Sequence, residues 1–277
     1  MKQIAVFGFG LVGASIAAAV RKSAPETKIV AVDLPAVLAS QEVQALSHEQ
    51  IESDDRSRVR ALAEGADLCV LAAPVSVITA QLPALLESAR VVTDCGSTKR
   101  SICARIDGLP RARRFVPGHP MAGGPDGGAR FARAELFEGQ NWLLCPENSD
   151  PDALARVEEL VRLVGANSVH LSLDAHDRAV AYTSHAPQLL SSALSVLAAN
   201  AGALPAAGPA YRATTRSAGG AEVMWHDIFA ANADQISVVL RLLANELNGI
   251  AAGLEASPPD LAPALSVLAT ARRQRAE

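Results

Sequence analysis

The 277 residues carry 25 Lys and Arg against 29 Asp and Glu, a formal net charge of −4, and 49% of positions are apolar. Such a chain can bury a sizeable core, divides most naturally into two domains, and leaves no long stretch to disorder. The acidic balance argues against a nucleic-acid partner: apart from residues 111–114 and the 272–275 tail, the basic residues are dispersed, and both runs read as solvated surface. No apolar run reaches the ~20 residues of a membrane helix, so no membrane partner is expected. Met1-Lys2 leads straight into a strand pattern with no leader signature. Cys69, Cys95, Cys103 and Cys145 show no close pairing, as expected of free thiols in a reducing compartment. Together these features predict a cytoplasmic protein. The six histidines are scattered without ligand spacing, and no metal site is expected.

In chain order, residues 3–7 predict a short buried strand that runs into Gly8-Phe9-Gly10-Leu11-Val12-Gly13, followed by an Ala-rich helix to about Lys22. Residues 28–32 predict a second strand ending at Asp33, and further strands are expected at 68–72, 91–93, 114–116 and 141–144, with helical patterns between most of them. Alternating strands and helices imply parallel strands joined by crossover helices. Residues 152–164 and 168–171 read as one more helix and strand on the same sheet. Beyond about Leu173 the strand signals stop. Residues 175–199 are helix-rich but carry Pro187, which must kink or interrupt them. Ile236, Leu240, Leu243, Leu247, Ile250 and Leu254 then recur at spacings of four and three, a narrow apolar seam that serves either an intrachain core or a subunit interface. Pro258-Pro259 closes that helix and a short one precedes the basic tail. The predicted fold class is α/β: an N-terminal Rossmann-type doubly wound sheet over residues 1–172, then an all-α domain over residues 173–277.

The glycine run follows a strand, opens a helix, and is answered by Asp33 at the end of the next strand. Gly8 permits the tight turn, Gly10 lets a pyrophosphate approach the backbone, and Gly13 lets the helix pack on the strand. The helix start, with Leu11 and Val12, offers free N–H groups and a partial positive charge to the phosphates. Asp33 can accept both ribose hydroxyls of NAD and repels the 2′-phosphate of NADP, for which Leu34-Pro35 supplies no arginine. NAD is therefore the expected cofactor. Ala73 and Pro74, after the strand at 68–72, are expected to lie along it. Ser97, after the strand at 91–93, reads either as the cap of the next helix or as a residue of the site, since ligands of such sheets sit outside the carboxyl ends of the strands.

Four further pieces occur in order: Asp94-x-Gly96-Ser97-x-Lys99; Gly118-His119-Pro120-Met121-Ala122-Gly123; His176-Asp177 with Ser184-His185-x-Pro187; and Arg212-x-Thr214-Thr215-Arg216 with Met224-Trp225-x-Asp227. Together with the glycine run they resemble the TyrA family of prephenate and arogenate dehydrogenases, from Gly8 to about Asn232. The resemblance implies NAD-dependent oxidative decarboxylation of prephenate, arogenate or both, yielding 4-hydroxyphenylpyruvate or tyrosine in tyrosine biosynthesis. It also implies a homodimer formed through the helical half. His119 matches the family's catalytic histidine, whose neutral imidazole would accept the proton of the substrate's ring hydroxyl. Arg216 matches its substrate-binding arginine, able to hold a carboxylate bidentately, and Arg212 is a second contact. Ser97 would bond the substrate hydroxyl or orient His119. His185 reads as pocket lining or as a satisfied core histidine, and Trp225 as pocket wall or packing. Residues 123–128 read as a lid or as a plain loop.

This sequence departs from the family pattern at Gln188, where a second histidine is common, and at Ala213, where an acidic residue is common; both bear on whether the substrate's side chain is keto or amino. The chain is too short to add a fused chorismate mutase or a regulatory domain. Two rivals remain. A β-hydroxyacid dehydrogenase or imine reductase would use a helical lysine, and residues 173–277 contain none. A non-catalytic NAD-binding regulator would need the glycine run without His119, Ser97 and Arg216.

Overall fold

The computed structural model describes residues 1–124 and 126–275. Six strands form one parallel sheet: β1 (Gln3–Phe7), β2 (Lys28–Asp33), β3 (Glu49–Glu52), β4 (Leu68–Leu71), β5 (Val92–Asp94) and β6 (Phe115–Val116). Their spatial order is β3-β2-β1-β4-β5-β6, the doubly wound arrangement whose order reverses between β1 and β4. Side chains of a strand alternate between faces, and both faces here are covered. Ile4, Val6, Ile29, Ala31, Leu68 and Val70 enter one buried cluster, while Ala5, Phe7, Val30, Val32, Cys69 and Leu71 enter the other. Burial on both sides is why these strands read as unbroken apolar runs. β3 is the exception. Its Glu-Gln-Ile-Glu sequence buries only Ile51, because it is an edge strand, and its polar composition hid it from the sequence reading.

The expected strands at 141–144 and 168–171 exist but do not join this sheet. β7 (Gly118–Pro120), β8 (Asn141–Leu144) and β9 (Asn167–His170) form a second, three-stranded sheet, antiparallel between β7 and β8 and parallel between β8 and β9. The chain passes from β6 to β7 through the single residue Pro117, which has no N–H with which to continue the first ladder. Trp142 and Leu144 then pack with the helices Leu11–Ser23 and Pro151–Leu163 in the same cluster as Ile4 and Val6. The second sheet therefore extends the first core.

From Leu173 onward every regular element among the described residues is helical. Pro187 interrupts the helical run, as the sequence requires. The chain widens into a π turn over Ala181–His185 between the helices Leu173–Val180 and Ala186–Asn200, and Pro187 occupies the first turn of the latter, where no N–H is needed. The buried core of this half is small: Ala181, Ala186, Ile236 and Val239, with Leu189, Phe229 and Leu240 against it. The seam of the Ala233–Glu255 helix is thus split. Ile236 and Leu240 serve the intrachain core, whereas Leu247 and Leu254 lie half open at 50% and 53% exposure. No helix among the described residues is long and apolar enough to cross a membrane.

Polar bonds hold the helices to the sheet, among them those of Ser76 and Arg100. The backbone N–H of Ser76, at the start of the helix after β4, donates to Asp227 Oδ2 at 3.0 Å. Arg100, after β5, spreads its guanidinium over Asp177 (3.1 Å), Asn232 (3.0 Å) and both oxygens of Asp234 (2.6 and 2.8 Å). The Asp177 carboxylate is fully buried, so removing its cationic partner leaves a charge the interior cannot solvate. Arg100→Met is expected to destabilise the protein by about 2–4 kcal/mol, measured as a lower urea midpoint; an unchanged midpoint would show that the fork contributes nothing net.

Candidate active site

All four loops of interest leave the same edge of the parallel sheet. Gly8–Gly13 follow β1, Asp33 ends β2, Ala72-Ala73-Pro74 follow β4, and residues 95–99 follow β5. Gly8 has φ +92°, and a Cβ there would lie 2.5 Å from the Ala72 carbonyl oxygen, so the turn admits no side chain. A Cβ on Gly10 would meet nothing within 4 Å, leaving the backbone open to a ligand. The Leu11–Ser23 helix has no side-chain cap and no acidic residue in its first turn, so its leading N–H groups are free for an anion. Leu11 and Val12 are half-buried against the core. Asp33 accepts the N–H of Phe9 at 2.5 Å and of Leu34 at 2.7 Å, fixing its carboxylate beside the turn. A pocket of about 450 Å³ opens past it between Pro35, Leu38, Gln50, Glu52, Asp55 and Arg58. These features fit a dinucleotide.

His119 lies in the middle of β7, paired in register with Leu143. Its position is set by its neighbour Gly118. Asp94 Oδ1 accepts the Gly118 N–H at 3.0 Å, and Lys99 Nζ donates to the Gly118 carbonyl at 2.6 Å while pairing with Asp94 Oδ2. Both charged groups are fully buried. A Cβ on residue 118 would fall 2.7 Å from the Asp94 carbonyl oxygen and 2.9 Å from Trp142 Nε1, so only glycine fits between the two sheets.

His119 Nδ1 lies 3.0 Å from His176 Nε2, and His176 Nδ1 lies 2.8 Å from Asp177 Oδ1. Asp177 also accepts the backbone N–H groups of Lys99 (2.8 Å) and Arg100 (3.0 Å), and so caps the helix Arg100–Ala104. The sequence suggested Ser97 for that cap. The structure gives it to Asp177 from the helical half, because a carboxylate accepts from both amides and Arg100 at once. Ser97 is left half-buried on the loop between Asp94 and Lys99.

His185 closes the cluster: its Nδ1 lies 3.2 Å from Asn232 Nδ2, which also donates to the Asp177 carbonyl at 2.8 Å, and its buried Nε2 has no partner among the described residues. Trp225 meets it edge-on at 6.1 Å between ring centres and leans on Phe229. Arg212 and Arg216 are not gathered into this cluster. Both are exposed on the 209–219 segment, and Arg212 donates to the Ala207 carbonyl at 2.7 Å. The loop over residues 123–128 approaches the dinucleotide turn at Gly124, where a Cβ would lie 3.5 Å from the Leu11 side chain; Pro125 lies outside the described residues.

The profile of the prephenate dehydrogenase nucleotide-binding domain matches residues 16–170, and that of the prephenate dehydrogenase dimerization domain matches residues 172–261. The chain belongs to the prephenate dehydrogenase family. A prephenate dehydrogenase of Bacillus subtilis (strain 168) is 32% identical over 84% of this chain, and the match spans 65% of that relative, so the chain covers just under two thirds of its length. The fold is shared with a prephenate dehydrogenase from A. aeolicus, solved in complex with hydroxyphenyl propionate and NAD+ (TM-score 0.85, 23% identity, 99% of this chain and 98% of that one). It is shared too with the arogenate dehydrogenase of Synechocystis (TM-score 0.78, 25% identity, 99% of each chain).

Several residues of this family member's site carried no role in the sequence reading: Asp94, Lys99, Arg100, His176, Asp177, Asn232 and Asp234. For Asp177 a signal existed. It stands three and four positions before Val180 and Ala181, on the buried face of its helix, where an acidic residue needs several donors. The cross-domain partners Asn232 and Asp234 offered no such signal.

Burial pushes the pKa of all three clustered histidines down. His119 falls well below the ordinary value, with His176, Lys99 and His185 adding to the effect; His176 falls despite Asp177, and His185 drops to about 4. The unfolded chain binds these protons near pH 6.5, while the folded chain refuses them until lower pH. Protons bound preferentially by the unfolded state mean that stability rises with pH in this window. The urea midpoint is therefore expected to fall as pH drops from about 6.5 toward 4, and less so in His185→Gln; a flat profile in the native protein would contradict the buried neutral cluster.

Proposed function

We propose that the chain is an NAD-dependent dehydrogenase that oxidatively decarboxylates prephenate, arogenate or both, as the last oxidation in making tyrosine. The observation that carries this reading is His119. It is a buried imidazole held below its ordinary pKa, set on the strand that leaves the carboxyl edge of a sheet whose first turn is built for a dinucleotide. The names of the relatives, and NAD+ in the A. aeolicus complex, support the same assignment.

When bound, NAD supplies the hydride acceptor. Gly8, Gly10, Leu11, Val12 and Gly13 would hold its pyrophosphate, Asp33 its ribose hydroxyls, and Ala73 and Pro74 would flank it. Arg58 is the arginine that lines the pocket past Asp33, but it is already bonded to Glu49 at 3.0 Å and shares the pocket with Glu52 and Asp55. A 2′-phosphate would meet net negative charge there, which favours NAD over NADP. His119, neutral at physiological pH, takes the proton of the ring hydroxyl as that carbon becomes a carbonyl carbon; the ring carboxylate then leaves as CO2, its bonding electrons complete the aromatic ring, and the carbonyl oxygen regains a proton as the phenol. Ser97 bonds the same hydroxyl, or orients His119. Arg216, with Arg212 as a second contact, meets a substrate carboxylate. His185, with its unpartnered Nε2, and Trp225 line the pocket beside the substrate side chain.

We divide the chain into a dinucleotide-binding domain (residues 1–172) and a helical substrate and dimerisation domain (residues 173–277). The helical half exposes Leu194, Leu197, Val238, Leu242 and Leu247 around its small core, and we infer that a second copy covers them in a homodimer. A cytoplasmic location agrees with four free thiols.

The test is NADH formation by the purified protein with prephenate and with arogenate over a concentration range. Turnover of either supports the reading, the ratio of kcat/KM identifies the substrate side chain, and turnover of neither with NAD bound overturns it. His119→Asn is expected to lower kcat by roughly 10²–10⁴-fold with NAD affinity unchanged; near-normal turnover would remove it as the base. Arg216→Ala should raise KM at least about tenfold with little effect on NAD affinity, since a charged hydrogen bond is worth ~1.5–3 kcal/mol. An unchanged KM would place Arg216 outside the site.

A further inference from the structure

A general base must present an unprotonated nitrogen, and a neutral imidazole has only one. Which of the two nitrogens of His119 is free depends on what the other one faces, and here the chain of partners decides it. The chain ends at Asp177, which is fully buried and whose oxygens all face donors. Oδ1 accepts from the Lys99 N–H at 2.8 Å and faces His176 Nδ1 at 2.8 Å; Oδ2 accepts from the Arg100 N–H at 3.0 Å and from Arg100 Nε at 3.1 Å. Three of those partners can only donate, and four donors fill a carboxylate's acceptor sites. Asp177 is therefore ionised, and His176 Nδ1 must carry a hydrogen. A neutral His176 then has its lone pair on Nε2, which faces His119 Nδ1 at 3.0 Å. His119 Nδ1 must in turn be the donor.

We propose that Asp177, acting through His176, locks His119 in the Nδ1–H tautomer and leaves Nε2 as the basic nitrogen of the site. Among the described residues Nε2 has no hydrogen-bond partner, so it is free to receive the substrate's proton. His176 and Asp177 are positioning residues, and their role rests on the reading of His119 as the base. The relay also crosses the molecule. His119 belongs to β7 of the sheet domain, His176 and Asp177 to a helix of the other half, and Asp177 is held in turn by Lys99 and Arg100 back on the sheet side. The tautomer is thus correct only while the two halves are docked.

Two substitutions separate tautomer control from plain packing. In Asp177→Asn the charged Arg100 retains the amide oxygen, so the NH2 group takes the place of Oδ1, gives up the Lys99 N–H bond and donates to His176 Nδ1. Both imidazoles then reverse, and His119 carries its hydrogen on Nε2. His176→Gln keeps an acceptor for His119 Nδ1–H, whereas His176→Phe fills similar space without one. The experiment is long-range ¹H–¹⁵N correlation of the full-length protein labelled at histidine ring nitrogens, with His119 assigned by its absence in His119→Asn, alongside steady-state kinetics. The native protein should show His119 as Nδ1–H, and Asp177→Asn should show it as Nε2–H with kcat down roughly 10²–10⁴-fold, the scale of a wrong-tautomer histidine. KM should move much less than kcat. His176→Gln should keep the native tautomer and most of kcat, while His176→Phe loses both. Native His119 found as Nε2–H, or equal losses in His176→Gln and His176→Phe with the tautomer unaltered, would overturn the relay. The tautomer is read without turnover, so it stands apart from the base assignment itself, which fails only if His119→Asn turns over normally.

Discussion

The buried carboxylate of Asp177 is the constraint on which the rest of the site depends. A charge with no exposed surface persists only if its acceptor sites are filled, and filling them draws the amides and the Arg100 fork of the segment after β5 onto the adjacent His176-Asp177 pair of the helical half. Each donor then serves a second end. The amides begin a helix, Arg100 reaches on to Asn232 and Asp234, and His176 reaches on to His119. One anion therefore joins the docking of the two halves to the state of the imidazole between them.

The sheet supplies the complementary constraint. Parallel strands deliver every carboxyl end to one edge, so the glycine turn, Asp33, Pro74 and Lys99 share a rim without any specific interaction arranging it. His119 reaches that rim by another route. Pro117 ends the first ladder, β7 starts a second one, and Asp94 with Lys99 grips both backbone groups of Gly118 so that the next residue is held at the seam of the two sheets. The buried Asp94–Lys99 pair is a clamp on the backbone as well as an ion pair, since both members also bond the peptide that they position.

This division explains what was legible in the sequence. Elements governed by local patterning could be read directly: the apolar strands buried on both faces, the glycine run with its answering aspartate, and the interruption at Pro187. The helical composition beyond Leu173 was legible for the same reason. What could not be read was anything decided by pairing across long separations. β3 has one apolar residue and is a strand only because β2 offers it an edge. β8 and β9 look like further strands of the first sheet, because an apolar strand carries no mark of which sheet it will join. Ser97 is a plausible cap by local rules, and it is displaced by Asp177, 78 positions beyond the amide of Lys99 that it caps. Residues of chemical type and motif, such as His119 and His185, were identifiable one by one; the hydrogen bonds that couple them were not.

The charge balance of the cluster bears on how a substrate with two carboxylates would be held. Asp94 is matched by Lys99, and Asp177 with Asp234 by Arg100, while the three histidines are held toward neutrality by burial. Lys99 and Arg100 are thus both engaged by carboxylates, and no surplus cation is left for an incoming dianion. A positive partner has to come from outside the cluster, which is where Arg212 and Arg216 stand, exposed on the segment before the Glu222–Ala231 helix. A further cation inside would oppose the positive charge that His119 gains with a proton, and would pair with Asp94 or Asp177 and unfasten the relay. On the proposed function, keeping the recognition charge on the outer segment leaves the inner hydrogen bonds in place and His119 neutral, able to accept one proton.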